Sequence, residues 1–275
     1  LNVNSQIPNG AVPDAVLPFR LAKEEAVEKI REFAAKRRLF AHRQFKQEFI
    51  PENVLGVYLP YLVIDARAET QYWGAGEVET RRWTEGSGDD KVTYYAADVY
   101  RLSRQVAFTV DDLTIEGSSE RADIDLSVGA KNTNNIINSV LPFDTKNAVQ
   151  WNSNYLVGFT SERRDLNVDH VKPVLEDQLL SIGRSQVHNS VRQFDRGVRW
   201  EQEQVNVAGT RWVSMYLPVW LYSFRQESNG LIHYIAVNAR TGETMGSIPI
   251  SKPKLILASL TVGTFLEGIA VAILV

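Results

Sequence analysis

The end of the sequence constrains the chain most. Residues 255 to 275, 21 positions from Leu255 to Val275, form an uninterrupted apolar run entered directly from Lys252 and Lys254. At about 1.5 Å of rise per residue a helix of that length spans roughly 31 Å, against about 30 Å for a bilayer's hydrocarbon core. A buried soluble helix of this length ordinarily keeps a polar stripe, whereas this run holds one charge, Glu267. The sequence therefore predicts a transmembrane helix over 252–275. Lysines beside a span favour the cytoplasmic face, which puts the preceding domain in the cytoplasm.

Within the run, Ser259, Gly263 and Glu267 are spaced i, i+4, i+8 and share one helix face, with Ala270 beside them. An acidic group near mid-span costs a few kcal/mol unless it is protonated or paired. Small residues let a second helix approach and satisfy it. These four residues are the expected association face. The expected partners are membrane lipid and other membrane or membrane-associated proteins, in a homo- or hetero-oligomer.

Leu1 to Pro18 has neither the positive start nor the apolar stretch of a signal peptide, in keeping with a cytoplasmic domain. Opening at Leu1 and closing inside an apolar run, the sequence reads as a piece of a longer protein. It contains no cysteine, so disulfide, zinc-finger and thiol chemistry are absent from this stretch. A net charge of −3 supplies no overall field for nucleic acid, which argues against a general nucleic-acid binder.

Residues 1–16 are polar and proline-bearing without a period, and read as a linker. From Lys23 to about Arg38, Ala26, Val27, Ile30, Phe33 and Ala34 recur at helical spacing between an acidic start and a basic end. Val54 to Trp83 and Val92 to Val110 read as antiparallel strands around a Gly-Ser-Gly-Asp-Asp turn at 86 to 90. Helical patterns return at Thr145 to Tyr155 and Val171 to Val191. A meander of Trp212–Phe224, Leu231–Asn238 and Thr244–Ile250 closes the domain. Leu17-Pro18-Phe19 echoes Leu141-Pro142-Phe143, and Tyr58-Leu59-Pro60 echoes Tyr216-Leu217-Pro218, which suggests units at 17–131 and 132–251. Pro60 and Pro218 suggest an edge strand or a bulge, since a central strand loses a ladder hydrogen bond at proline. The expected fold is α+β: helices packed on curved antiparallel sheets, a tandem repeat of two similar units, and a C-terminal transmembrane helix.

Gly56-Val57-Tyr58-Leu59-Pro60, Leu217-Pro218-Val219-Trp220, Tyr155-Leu156-Val157-Gly158-Phe159 and Val237-Asn238-Ala239-Arg240-Thr241-Gly242 occur together with both Leu-Pro-Phe segments. In this order they resemble a bacterial family of membrane-anchored TFIIB-type zinc-ribbon proteins, loosely called primosomal-helicase-like. The resemblance covers most of 17–275. The ribbon's cysteine pairs are missing, and Ala239 stands where glycine is usual. The resemblance implies a place at the bacterial inner membrane with the main domain cytoplasmic. It also implies a scaffold that recruits envelope-stress or stomatin-like partners, and zinc only in an upstream ribbon that this stretch lacks. A membrane-tethered enzyme, or a nucleic-acid module using such a ribbon, are the alternatives.

No catalytic, cofactor-binding or metal-ligating residue stands out. His42, His170, His188 and His233 lack metal-ligand spacing. Asp169, His170, Glu176 and Asp177 diverge around one helix rather than facing a cleft. Lys29 and Arg31, with Lys36, Arg37, Arg38, Arg43 and Lys46, form one basic cluster that reads as a solvated helix face, with contact to anionic lipid as the alternative. Tyr72, Trp73 and Trp83 beside Arg81 and Arg82 read as sheet-face packing, with stacking on bases or sugars as the alternative.

Overall fold

A computed structural model of the chain describes residues 12–37, 45, 49–86, 88, 91–119, 140–226, 230–249, 251, 253, 254, 256 and 259. Its frame is three very long antiparallel strands: β2 (Leu55–Glu85, 31 residues), β3 (Val92–Glu116, 25 residues) and β6 (Val198–Arg225, 28 residues). Strands of about 5–6 residues are ordinary, and at about 3.3 Å per residue β2 has a contour of roughly 100 Å. Around this frame lie β1 (Ala15–Val16), β4 (Val149–Gln150), β5 (Thr160–Ser161), β7 (Ile232–Asn238) and β8 (Thr244–Gly246). The strand order is β3-β2-β6-β1-β4, with β5 on β2 and β7 between β6 and β8. Two α-helices occur among the described residues, α1 (Lys23–Lys36) and α2 (Val168–Val187).

The sheet has a local two-fold arrangement centred on Leu59↔Leu217, where Tyr58 pairs Pro218 and Pro60 pairs Tyr216. On the outer side of β2, β5 runs parallel at Val57 and Tyr58, and β3 takes over from Tyr61. On the outer side of β6, β1 runs parallel at Met215 and Tyr216, and β7 takes over from Val219. β1-α1-β2-β3 and β5-α2-β6-β7 are thus two passes of one path. The two prolines sit where the neighbour changes. Pro60 O accepts from Gly117 N at 2.8 Å and Pro218 O from Ala239 N at 3.1 Å, both on the outer side. The missing N–H of each proline faces that same side, at the break between two partners, so no ladder bond is lost. The expectation of an edge or bulge there is corrected: both strands are central.

One face of the sheet carries both helices, each laid on the strands of the other pass. α1 buries Ala26, Val27, Ile30 and Phe33 against Trp220, Tyr222 and Phe224 of β6 and Ile235 and Val237 of β7. α2 buries Val171, Leu175 and Leu179 against Leu62, Ile64, Ala66, Ala68 and Ile115 of β2 and β3. Between them Phe19, Tyr58, Phe159, Tyr216 and Trp220 interlock, with Phe19 stacked on Phe159 at 4.1 Å. The opposite face centres on Val57, Leu59, Tyr61, Leu217 and Val219, covered by Val140 and Phe143. Asp144 closes that cover by a two-pronged pair with Arg240, Nε to Oδ1 2.7 Å and Nη2 to Oδ2 2.6 Å.

This architecture corrects the α+β expectation. Strand dominates, and the two passes build one continuous sheet rather than two helix-on-sheet units in tandem. Residues 14–16, expected in a linker, pair with β6. The helix expected over 145–155 is two 3-10 turns, Thr145–Asn147 and Ser153–Leu156, flanking β4. Among the described residues no helix is long and apolar enough to cross a membrane, which overturns the C-terminal transmembrane helix as an element of this fold. Most of 255–275 lies outside the described residues. The zinc-ribbon label is corrected too: among the described residues no group of three or more His, Cys, Asp or Glu is placed to hold a metal.

Candidate functional site

Strands this long leave the body of the protein, and the emerging part is the most exposed feature of the fold. α2 supports its base. Its buried positions Val171, Leu175, Leu179, Gly183 and Val187 recur every four residues and form one ridge. The strands offer Ala66, Ala68 and Thr70 beneath it, and Tyr72 donates its hydroxyl to Leu180 O at 2.7 Å. Burial beside the helix pushes the Tyr72 hydroxyl pKa up. Arg184 pairs with Glu203 of β6 at 2.9 Å. After α2, the segment leading to β6 crosses the arm. Arg104 Nε donates to Ser190 Oγ at 2.9 Å, and Phe194 lies over Gly76, where any side chain would collide with its ring. Arg196 stacks over the Tyr95 ring at 3.7 Å.

β6 joins the arm at Val198, opposite Gly76, and Asp195 Oδ1 accepts from Glu79 N at 2.8 Å. Beyond this point only β2 and β3 continue, as a two-stranded ribbon paired from Glu77↔Val99 to Glu85↔Val92. Trp83 stacks on Tyr94 across the ribbon at 5.9 Å, with the Arg81 guanidinium 5.5 Å from Trp83. Arg82 grips Glu79 with two 2.8 Å hydrogen bonds, which hold the Glu79 carboxyl below its usual range. Among the described residues β3 has no neighbour on its outer side. Along that edge Val92, Tyr94, Tyr95, Val99 and Tyr100 are 44 to 62% exposed. A groove of about 560 Å³ runs beside it, lined by Val78, Tyr100, Leu102, Arg104, Gln193 and Phe194.

An exposed apolar patch on an open sheet edge is a surface made for contact, because unpaired backbone groups and uncovered side chains both gain from a partner. Natural edges are usually blunted by charge, proline or a bulge. From Val92 to Ala97 this edge has no charge or proline, and one register shift, between Glu79 and Arg81 of β2, lies opposite Ala96 and Ala97.

The residues singled out from sequence do not assemble into a site. Tyr72 is buried under α2, Trp73 belongs to the opposite face and Trp83 to the ribbon, so they form no common stacking platform. His170 caps α2, with its Nδ1 accepting from Asn167 N at 3.3 Å. In the basic cluster, Arg31 pairs with Glu28 at 3.1 Å. Arg37 lies 3.6 Å over the Phe33 ring and donates to Phe33 O, while Lys36 is exposed. Arg38, Arg43 and Lys46 lie outside the described residues, as do Gly263, Glu267 and Ala270. Ser259 is exposed and donates to Ile256 O at 2.9 Å. Sequence reading missed the β3 edge. The available signal was the uncharged Val-Thr-Tyr-Tyr-Ala-Ala start of that strand.

Comparison with known proteins adds extent but no activity. No family model and no solved structure matches the chain. It is similar to the Uncharacterized protein YdjG of Bacillus subtilis (strain 168), 22% identical over 256 residues that make up 92% of this chain and 69% of that protein.

Proposed function

We propose that this chain is an interaction protein, a scaffold whose docking element is the β2–β3 arm. The observation that carries this reading is the outer edge of β3, unpaired among the described residues, where five large apolar side chains are exposed on an arm braced by α2 and Phe194. Bracing matters because a rigid arm spares a partner much of the entropy cost of ordering it. The cytoplasmic face of the bacterial inner membrane belongs to the same proposal as its place of work, on the sequence resemblance described above alone.

A photo-crosslinking residue placed at Tyr94 or Tyr100 in cells tests the docking reading, with Val157, 77% exposed on the body, as the control. Discrete products from the arm and none from Val157 are expected. Equal or absent crosslinking at the arm overturns the reading. Fractionation with protease protection tests the location.

A further inference from the structure

We propose that the cleft at the rim of the cover, on the sheet face opposite the helices, binds a small primary amine with an aliphatic body. This site is separate from the arm and does not depend on what the arm docks.

The cleft starts at a bulge in β3. Ile64 pairs with Leu113 and Ala66 with Val110, so the single residue Asp65 of β2 stands opposite two residues, Asp111 and Asp112. Asp112 takes a left-handed backbone, φ 57°, and its N donates to Asp65 Oδ1 at 3.0 Å. Neighbouring side chains of a regular strand alternate between faces, whereas a bulge re-aims one of them. Both aspartates accordingly line the same cleft.

At about 530 Å³ the cleft has the size of a small-molecule site. Its floor crosses β2, β6 and β1 through the apolar residues Val63, Val213, Met215 and Ala15. Thr145, 6% exposed, lines it from the cover, and the Thr145 hydroxyl makes no hydrogen bond among the described residues. A buried hydroxyl ordinarily has a partner, and here the cleft is where one can come from.

The charges select the ligand. Asp65 is engaged by Asp112 N and by Arg211 Nη1 at 3.5 Å, and that ion pair cancels. Neither the Asp111 nor the Asp112 carboxylate has a hydrogen bond or ion pair among the described residues, and Lys146 is the remaining cation on the lining. Two carboxylates against one ammonium leave an excess of one negative charge, which a monocation neutralises. Among the described residues no carboxylates are grouped to hold a metal ion, so the cation that fits is organic. A primary ammonium brings three donors to a site whose free groups are acceptors. Val63 and Ala15 lie two strand spacings apart, about 10 Å, which an alkyl chain of about six carbons covers.

Calorimetric titration of the full chain with hexylamine tests the proposal, with hexanol and hexanoate as probes of the same body and different charge. Hexylamine is expected to bind saturably at about 1 mM or tighter, and the other two at least about tenfold more weakly. Asp111→Asn and Asp112→Asn should each weaken hexylamine by about tenfold with the melting temperature unchanged, since asparagine accepts the left-handed backbone at position 112. Thr145→Val should weaken it by about fivefold. Lys146→Gln, a change at an exposed position, should tighten it by about threefold. Lack of saturation, equal binding of hexanol, or an affinity indifferent to both aspartates and to Lys146 overturns the inference. Tighter binding of Nα-acetyl-lysine methylamide, which carries the same amine on a peptide backbone, assigns the cleft to a protein lysine and overturns the small-molecule reading.

Discussion

Gly183→Ala tests the packing of α2 on the arm with an unusual sign. In an exposed helix interior, replacing glycine by alanine stabilises by about 1 kcal/mol. At Gly183 the added methyl falls well inside the contact distance of Tyr72 Oη and Thr70 Oγ1. Neither neighbour can swing away, because both side chains are fully buried and Tyr72 is anchored by its 2.7 Å hydrogen bond to Leu180 O. Overpacking of this kind costs about 1–3 kcal/mol, and displacing the hydroxyl forfeits about 1 kcal/mol more. Set against the gain in helix propensity, the variant should be destabilised by about 1–3 kcal/mol. Urea unfolding followed by far-ultraviolet circular dichroism measures this. The companion variant Tyr72→Phe removes the struck oxygen, so Gly183→Ala should cost at least about 1 kcal/mol less in the Tyr72→Phe background, a coupling that a double-mutant cycle isolates. A neutral or stabilised Gly183→Ala, or additivity of the two changes, would refute the close approach of helix and strand.

Phe19→Ala should destabilise by about 3 kcal/mol in the same assay, because Phe19 stacks on Phe159 and meets Tyr58 and Trp220 edge-on. Asp144→Asn should cost about 2 kcal/mol at neutral pH by weakening the charged pair with Arg240. The Arg240 hydrogen bonds hold the Asp144 carboxyl below its ordinary value, so its contribution is complete above about pH 4 and is lost as pH falls through the depressed folded value. Unfolding curves of wild type and Asp144→Asn should therefore converge in acid, and a constant gap would sink the assignment. Replacing Val78–Asp98 by an Asn-Gly turn should leave the melting of the body within a few degrees of wild type, since the ribbon is exposed and packs on no core cluster.

Both helices were legible because each keeps its apolar period across the whole element, α1 with acids at its start and base at its end and α2 with a residue every four turned inward. The Tyr-Leu-Pro echo was also informative, since those segments pair with each other at the centre of the sheet. The Leu-Pro-Phe echo misled. Leu17 and Phe143 join one cluster over Leu59 and Leu217, whereas Phe19 stacks on Phe159 on the helix-bearing face, so the two phenylalanines serve unlike places. The first half of β6 escaped notice because four polar residues, Glu201 to Gln204, separate Val198 and Trp200 from Val205 and Val207, and a register shift between Trp200 and Gln202 breaks the alternation, so no period of two spans the segment. The candidate site was the least legible part. Tyr94 or Val99 reads as an ordinary strand residue in sequence, and only the non-local fact of which strands stop short makes it exposed.

The crossed placement of the helices fixes an order of events during synthesis. α1 leaves the ribosome early, but the β6–β7 surface that buries Ile30 and Phe33 is encoded some two hundred residues later. At about 5–20 residues per second the nascent chain carries that apolar face without its bed for roughly 10–40 s. The first pass therefore cannot finish folding as an independent intermediate, and a ribosome stalled anywhere before Val237 holds a helix waiting for a cover that does not yet exist. This chain depends on whatever shields unfinished polypeptides for most of its translation, and splitting it between its two passes would yield two fragments that each lack the other's helix.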